Sequence, residues 1–178
     1  MINRSIEGLG LDGRASVLAG WLLCLAMLAC PGPTQAATRS WTGTVTHVSD
    51  GDTLWVRPQR GGAPRAIRLD GIDAPELCQS YGETARAALV AQVLGQTVQV
   101  RVRQHDDYGR ALARVSVYQR DVGGWLVSQG HAWSYHYRGR AGPYAAQESQ
   151  ARSRRLGLFQ QAHPEPPREF RHRHGPCH

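Results

Sequence analysis

Lysine is absent from this sequence: all 21 basic residues are arginine. Every permanent side-chain cation is therefore a guanidinium, whose planar fork suits phosphate oxygens better than a lysine ammonium does. Acidic residues are the scarcer sign, 14 in number, which leaves a net charge of +7. That excess either serves an anionic partner, such as nucleic acid or a membrane surface, or is a basic surface with no specific partner. No apolar run reaches the ~20 residues that a spanning helix needs; the most apolar stretch is Ala15 to Ala29. Internal repeats are missing too. Hydrophobic residues make up 41% and charged residues 20%, which excludes collagen-like, wholly disordered and polytopic membrane proteins. A chain of 178 residues with this balance reads as one globular domain with terminal segments.

Arg4 and Arg14 precede the apolar stretch, and Pro31, Gly32, Pro33, Ala36 and Ala37 follow it. A charged n-region, an apolar h-region and small residues are the pattern of a secretory signal. Residues 1–37 are expected to be a signal peptide cleaved near Ala36 or Ala37; an uncleaved anchor, or a lipid attached at Cys30, is the other outcome. The leader carries Arg4, Arg14, Glu7 and Asp12, two of each sign, so the mature chain keeps its charge of +7. The expected location is secreted or periplasmic, an oxidising compartment. Cys78 and Cys177 remain there, either paired with each other or as two free thiols.

From Trp41 the chain reads as strands first. Trp41–Val48 is rich in β-branched residues, Ser49-Asp50-Gly51-Asp52 has hairpin-turn chemistry, and Thr53–Arg57 resumes a strand. Arg65–Asp70 is a third strand, with Ile67 and Leu69 on one face and Arg68 and Asp70 on the other. Glu83–Leu94 reads as a helix, with Ala85, Leu89 and Val93 at i, i+4 and i+8. Thr97–Arg103 and Ala111–Tyr118 are two more strands, followed by helices over Val122–Gln129 and Pro143–Leu156. The expected class is α+β, a small five-stranded β-barrel with three packed helices; one such barrel is the OB-fold. Residues 38–160 form the domain, and 161–178, rich in Pro, His and Arg, is expected to be a disordered tail.

Four acidic residues lie on two turns: Asp50 and Asp52 on the first, Asp73 and Glu76 on the second. Carboxylates with a backbone carbonyl and water suit a hard cation such as Ca²⁺. Asp and Gly are also ordinary turn residues, so Asp50-Gly-Asp52 by itself decides nothing. Arg68 ends a strand beside the second turn, and Arg110 opens another after Tyr108-Gly109. Each alone reads equally as a surface ion pair. Together, a cation, two guanidinium groups and a carboxylate able to position water are what phosphoryl-transfer chemistry requires.

Asp50-Gly-Asp-Thr53, Ile67-Arg-Leu-Asp-Gly-Ile-Asp-Ala-Pro-Glu76 and Asp107-Tyr-Gly-Arg110 resemble, in order and spacing, the signature segments of the staphylococcal-nuclease-like (thermonuclease) family. Val127–Trp133 and Arg155–Phe159 are similar to its later segments, so the resemblance covers about Trp41 to Gln160. It implies an OB-fold barrel with three helices and a Ca²⁺-dependent endonuclease acting on DNA and RNA. Such an enzyme cuts the P–O5′ bond and leaves 3′-phosphates. By position, the resemblance makes Asp52, Asp73 and the Ala74 carbonyl ligands of one Ca²⁺. Arg68, Glu76 and Arg110 become catalytic, and Tyr108, Tyr135 and Tyr137 become contacts to nucleic acid. A monomer with no stable protein partner is expected. Asp107 stands where the best-known member has a lysine, Ala74 where it has a threonine, and Phe159 where it has a tryptophan. The segment between Glu76 and Tyr81 is also shorter.

Two other classes compete. A non-catalytic OB-fold nucleic-acid-binding module shares the fold and the charge but needs neither Glu76 nor the metal carboxylates. A metal-handling protein would use His163, His172, His174 and His178 with Cys177 in the tail.

Overall fold

The computed structural model describes residues 40–136, 139–175 and 177. The expected signal peptide, Cys30, Tyr137 and His178 lie outside the described residues. Strands β1 (Ser40–Val48), β2 (Thr53–Pro58) and β3 (Arg65–Leu69) come first, then the two-residue β4 (Ile72–Asp73) and helix α1 (Gly82–Val93). After them come β5 (Thr97–His105), β6 (Ala111–Val117), β7 (Arg120–Asp121), α2 (Val122–Ser128), β8 (Trp133–Ser134), α3 (Ala145–Ser153), a 3₁₀ turn (Gly157–Gln160) and α4 (Pro167–His174).

The sheet runs β3-β2-β1-β5-β6-β7, and an additional pairing of β3 with β6 closes it into a five-stranded barrel. That closing pair is parallel, with Ile67 opposite Ala111 and Leu69 opposite Ala113; the other long pairs are antiparallel. Closure removes the exposed strand edges that would otherwise invite association. The α+β, OB-fold expectation holds.

Alternation along the strands supplies the core. Val98 and Val100 face in from β5, Ala113 and Val115 from β6, and Leu54 and Val56 from β2. Helix α1 buries Ala85, Leu89 and Val93, the spacing read from the sequence, and lays Leu89 and Val93 against the same core. Burying each large aliphatic side chain contributes about 1.5–3 kcal/mol. A second, smaller cluster joins Trp133, Ala151, Leu158 and Phe159, with Phe159 edge-on to Trp133.

The expectation of a disordered tail is corrected. Residues 167–174 form α4, with Pro167 buried at its first turn. Three contacts fasten the segment to the loop after Glu76. Gln79 Nε2 donates to the Glu165 carbonyl at 2.6 Å, Gln161 Nε2 donates to Ser80 Oγ at 3.1 Å, and Cys78 pairs with Cys177 in a disulfide. Composition pointed to disorder because the segment has few apolar residues of its own. It is ordered by polar and covalent attachment to a surface formed elsewhere.

Candidate active site

The first acidic turn is fixed by close packing. A Cβ on Gly51 would stand 2.7 Å from the Ala74 Cβ and 3.0 Å from the Ala85 Cβ, so only glycine lets the turn settle between α1 and the second acidic loop. Asp50 Oδ1 accepts from the Asp52 amide at 2.9 Å, an Asx turn, and the Asp52 carbonyl accepts from the Leu69 amide at 2.8 Å. Asp52 is thereby drawn to the end of β3, where Thr53 lies opposite Arg68.

The second loop is held from the other side. Asp73 ends β4, which pairs with β8, Asp73 lying opposite Trp133. Buried Glu148 of α3 accepts from the Ser134 amide at 2.8 Å and so ties β8 to α3. Glu76 follows Pro75, and its amide donates to Gln79 Oε1 at 3.1 Å. A Cβ on Gly82 would overlap the Glu76 carbonyl, so the start of α1 fits closely under this loop.

Asp52 and Asp73 meet at Arg68. Its Nη2 is 2.8 Å from Asp52 Oδ2 and 3.1 Å from Asp73 Oδ1. Asp52 Oδ2 also accepts from the Ala74 amide at 3.3 Å, and Oδ1 from Thr53 Oγ1 at 3.0 Å. Burial alone would weaken the charge on Arg68, but the carboxylates of Asp52 and Asp73 outweigh burial and raise its pKa. Burial and the charge of Asp52 push Asp73 up, against the opposing pull of Arg171 and Arg68. Burial and Asp52 likewise push Asp50 up to about 6.

Arg110 is set by the β5–β6 turn. Asp106 accepts from the Arg110 amide at 2.9 Å and from its Nε at 2.7 Å. Burial works against the charge on Asp106, but these hydrogen bonds and the charge of Arg110 together outweigh it and lower its pKa. The Arg110 guanidinium lies over the Tyr108 ring, 5.4 Å from its centroid.

A cleft of about 800 Å³ gathers Asp52, Arg68, Ala74, Glu76, Tyr108 and Arg110, every sequence-assigned catalytic and metal residue except Asp73, together with one tyrosine. Asp73 ion-pairs with two residues of its wall, Arg68 and Arg171. Tyr108 is 84% exposed at the rim. Tyr135, 43% exposed, lies instead on an adjoining cleft of about 870 Å³ that shares Arg68, Tyr108, Arg110 and Arg171 with the first. Tyr137 lies outside the described residues.

Sequence reasoning missed Arg171. Its Nη1 is 2.6 Å from Glu76 Oε1 and its Nη2 is 3.2 Å from Asp73 Oδ2. It is separated from Glu76 by 95 residues and sits in the segment expected to be disordered. The available signal was the cysteine pair, since Cys78 lies two residues beyond Glu76.

The donor set fits a hard divalent cation. Asp52, Asp73 and the Ala74 carbonyl offer oxygen alone. Asp73 is pushed up by burial first and by the charge of Asp52 second, and a cation between the two carboxylates would relieve both. Among the described residues, no group of three or more Asp, Glu, His or Cys side chains converges as a ready-made cage. The tail histidines form no such group among the described residues either.

Comparison with known proteins agrees with this geometry. Residues 66–161, more than half of the chain, match the family model described as staphylococcal nuclease homologue. The chain is 37% identical over 158 residues to Protein ParB of Escherichia coli, covering 83% of this chain and 86% of that protein. It is 38% identical over 134 residues to an uncharacterized endonuclease of Escherichia coli O157:H7, covering 74% of this chain and 85% of that one. With micrococcal nuclease of Shigella flexneri it shares 35% identity over 148 residues, 76% of this chain and 83% of the other. Barrel topology, the acidic and arginine residues of the cleft, and these matches lead to one assignment: the chain belongs to the staphylococcal-nuclease family.

Proposed function

We propose that this protein is an exported, Ca²⁺-dependent endonuclease that hydrolyses DNA and RNA at the P–O5′ bond and leaves 3′-phosphates. That it is a nuclease follows from its family. The finer reading is carried by one observation: Asp52, Arg68, Glu76 and Arg110 line a single open cleft, with Asp73 bonded to its wall. Asp52, Asp73 and the Ala74 carbonyl would hold the cation, which when bound supplies Lewis acidity and a template for the phosphate.

The reaction is an in-line displacement. Glu76 orients the attacking water and receives its proton at a carboxylate oxygen. As the water oxygen bonds to phosphorus, the P–O5′ bond breaks, O5′ takes up a proton from solvent in the open cleft and leaves as a free hydroxyl, and the phosphate stays on the 3′ side. Charge gathers on the non-bridging oxygens, and the Arg68 and Arg110 guanidinium groups neutralise it. Tyr108 at the cleft rim, with Tyr135 next door, would contact neighbouring nucleotides.

Export is supported by the leader pattern of residues 1–37 and by the Cys78–Cys177 disulfide, which suits an oxidising compartment. A monomeric enzyme with no further protein partner completes the reading.

Digestion of plasmid, single-stranded DNA and RNA tests it, with Ca²⁺, Mg²⁺ or chelator, beside Glu76→Gln and Arg110→Ala. The expected result is Ca²⁺-dependent cutting, 3′-phosphate ends, and a loss of about 10²-fold or more in each variant. Retarded but uncut nucleic acid under every condition leaves a non-catalytic binding module.

A further inference from the structure

The loop carrying Glu76 also carries three anchors of the C-terminal arm. Cys78, Gln79 and Ser80 hold Cys177, the Glu165 carbonyl and Gln161 respectively. These anchors bracket α4, and Arg171 lies between them with its fork turned onto the acidic residues. Nη1 bonds Glu76 Oε1 at 2.6 Å and Asp73 Oδ1 at 3.3 Å, and Nη2 bonds Asp73 Oδ2 at 3.2 Å. With Arg68 on Asp73 Oδ1, both oxygens of Asp73 are engaged by guanidinium groups. A forked guanidinium–carboxylate contact is the strong kind of charge-assisted hydrogen bond. It occupies the same oxygens that the proposed cation requires.

We infer that Arg171, carried on the disulfide-tethered C-terminal helix, is a built-in counter-ion of Asp73 and Glu76 that a divalent cation has to displace in order to bind. The inference rests on the cation reading above and deepens it. Without the cation, Arg171 balances the crowded carboxylates and keeps the site compact. For the cation to enter, Asp73 has to exchange a guanidinium for the metal, so part of the binding free energy is spent on moving the arm. The arm thus sets the cation concentration at which the enzyme switches on. Because it is fastened by a disulfide and two side-chain hydrogen bonds and contributes little to the main core, it can lift without unfolding the barrel.

The test is a calorimetric Ca²⁺ titration of the full chain, with no nucleic acid present. Wild type is compared with Arg171→Gln, with Arg171→Lys, and with the double variant Cys78→Ser/Cys177→Ser. Competition predicts that Arg171→Gln binds Ca²⁺ about tenfold more tightly, the factor expected if the arm is engaged about nine-tenths of the time. It also predicts that Arg171→Lys stays nearer to wild type, and that the untethered double variant shifts in the tight direction. Melting in chelator gives a second reading: Arg171→Gln melts lower than wild type, and Ca²⁺ raises its melting temperature by more. A purely structural role for Arg171 would loosen Ca²⁺ binding instead. Equal or weaker affinity in Arg171→Gln overturns the inference while leaving the cation reading intact. Failure of every protein to bind Ca²⁺ at millimolar concentration removes both.

Discussion

Arg68 Nη2 and Asp52 Oδ2 lie 2.8 Å apart, a contact made between the end of β3 and the turn of the β1–β2 hairpin that precedes it. The register of β2 on β3 sets it, because Thr53 pairs with Arg68 and brings its neighbour Asp52 alongside. Arg68 also bonds Asp73, so one guanidinium holds the two acidic turns together. It is a structural tie in the resting site and the proposed phosphate ligand in the working one.

Removing that tie leaves two buried carboxylates without their shared partner. Arg68→Ala is expected to destabilise the protein in chelator, toward the low side of the about 3–5 kcal/mol typical of a broken buried pair, since Arg68 retains some exposure. Ca²⁺ should restore part of that loss. Arg68→Lys should recover some stability but little cleavage, because an ammonium cannot reproduce the fork. Urea unfolding with and without Ca²⁺, beside a cleavage assay, reads both.

Gly82 offers a way to move Glu76 without changing it. The Cβ introduced by Gly82→Ala overlaps the Glu76 carbonyl, and the surrounding loop has to shift. Overpacking of this kind costs about 1–3 kcal/mol, and a displacement near 1 Å at a catalytic group costs about 10²-fold in rate. The expected pattern is a large fall in kcat with KM for nucleic acid little changed. A variant that loses stability but keeps full kcat would show that the Glu76 carboxylate is positioned independently of this backbone contact.

The pH dependence follows from Asp50. Its pKa is about 6 in the fold, against an ordinary 3.8, because burial and the charge on Asp52 disfavour ionisation. The folded state holds this proton more tightly than the unfolded chain does. The stabilisation is therefore complete below pH 3.8 and is lost as pH rises toward about 6. Asp50→Asn, which keeps an acceptor for the Asp52 amide, should remove that slope and leave the variant more stable at neutral pH by no more than about 3 kcal/mol. Denaturant unfolding in chelator at acidic and neutral pH measures it. An unchanged pH slope would place the titration elsewhere.

Tyr144 provides a stability test away from the cleft. Its hydroxyl donates to Asp121 Oδ1 at 2.8 Å and accepts from Arg114 Nη1 at 2.6 Å, joining α3 to the start of α2 and to β6. Burial and the Asp121 carboxylate raise its pKa, so it stays a neutral donor. Tyr144→Phe strands both partners and should cost about 1–3 kcal/mol, with cleavage per folded molecule retained. Thermal melting and a normalised activity assay separate the two effects.

Sequence alone carried the barrel's strands and helix faces, because those features are local, and it named the candidate site residues through a family resemblance. Alternation in Thr97–Arg103 dictated an inward valine face, and the spacing of Ala85, Leu89 and Val93 dictated the buried stripe of α1. The three segments around Asp52, Asp73 and Arg110 resemble those of the staphylococcal-nuclease family in order and spacing, and that resemblance implied roles for their residues before any distance was known. Tertiary structure decided what depends on distant residues meeting. It joined Cys78 to Cys177, turned a polar tail into α4, and placed Arg171 on Glu76. None of that shows in the tail's composition, because the tail has almost no apolar surface of its own and is ordered by partners nearly a hundred residues away. Local periodicity encodes which face of an element is buried; which charges end up sharing a cleft is settled only when the chain closes on itself.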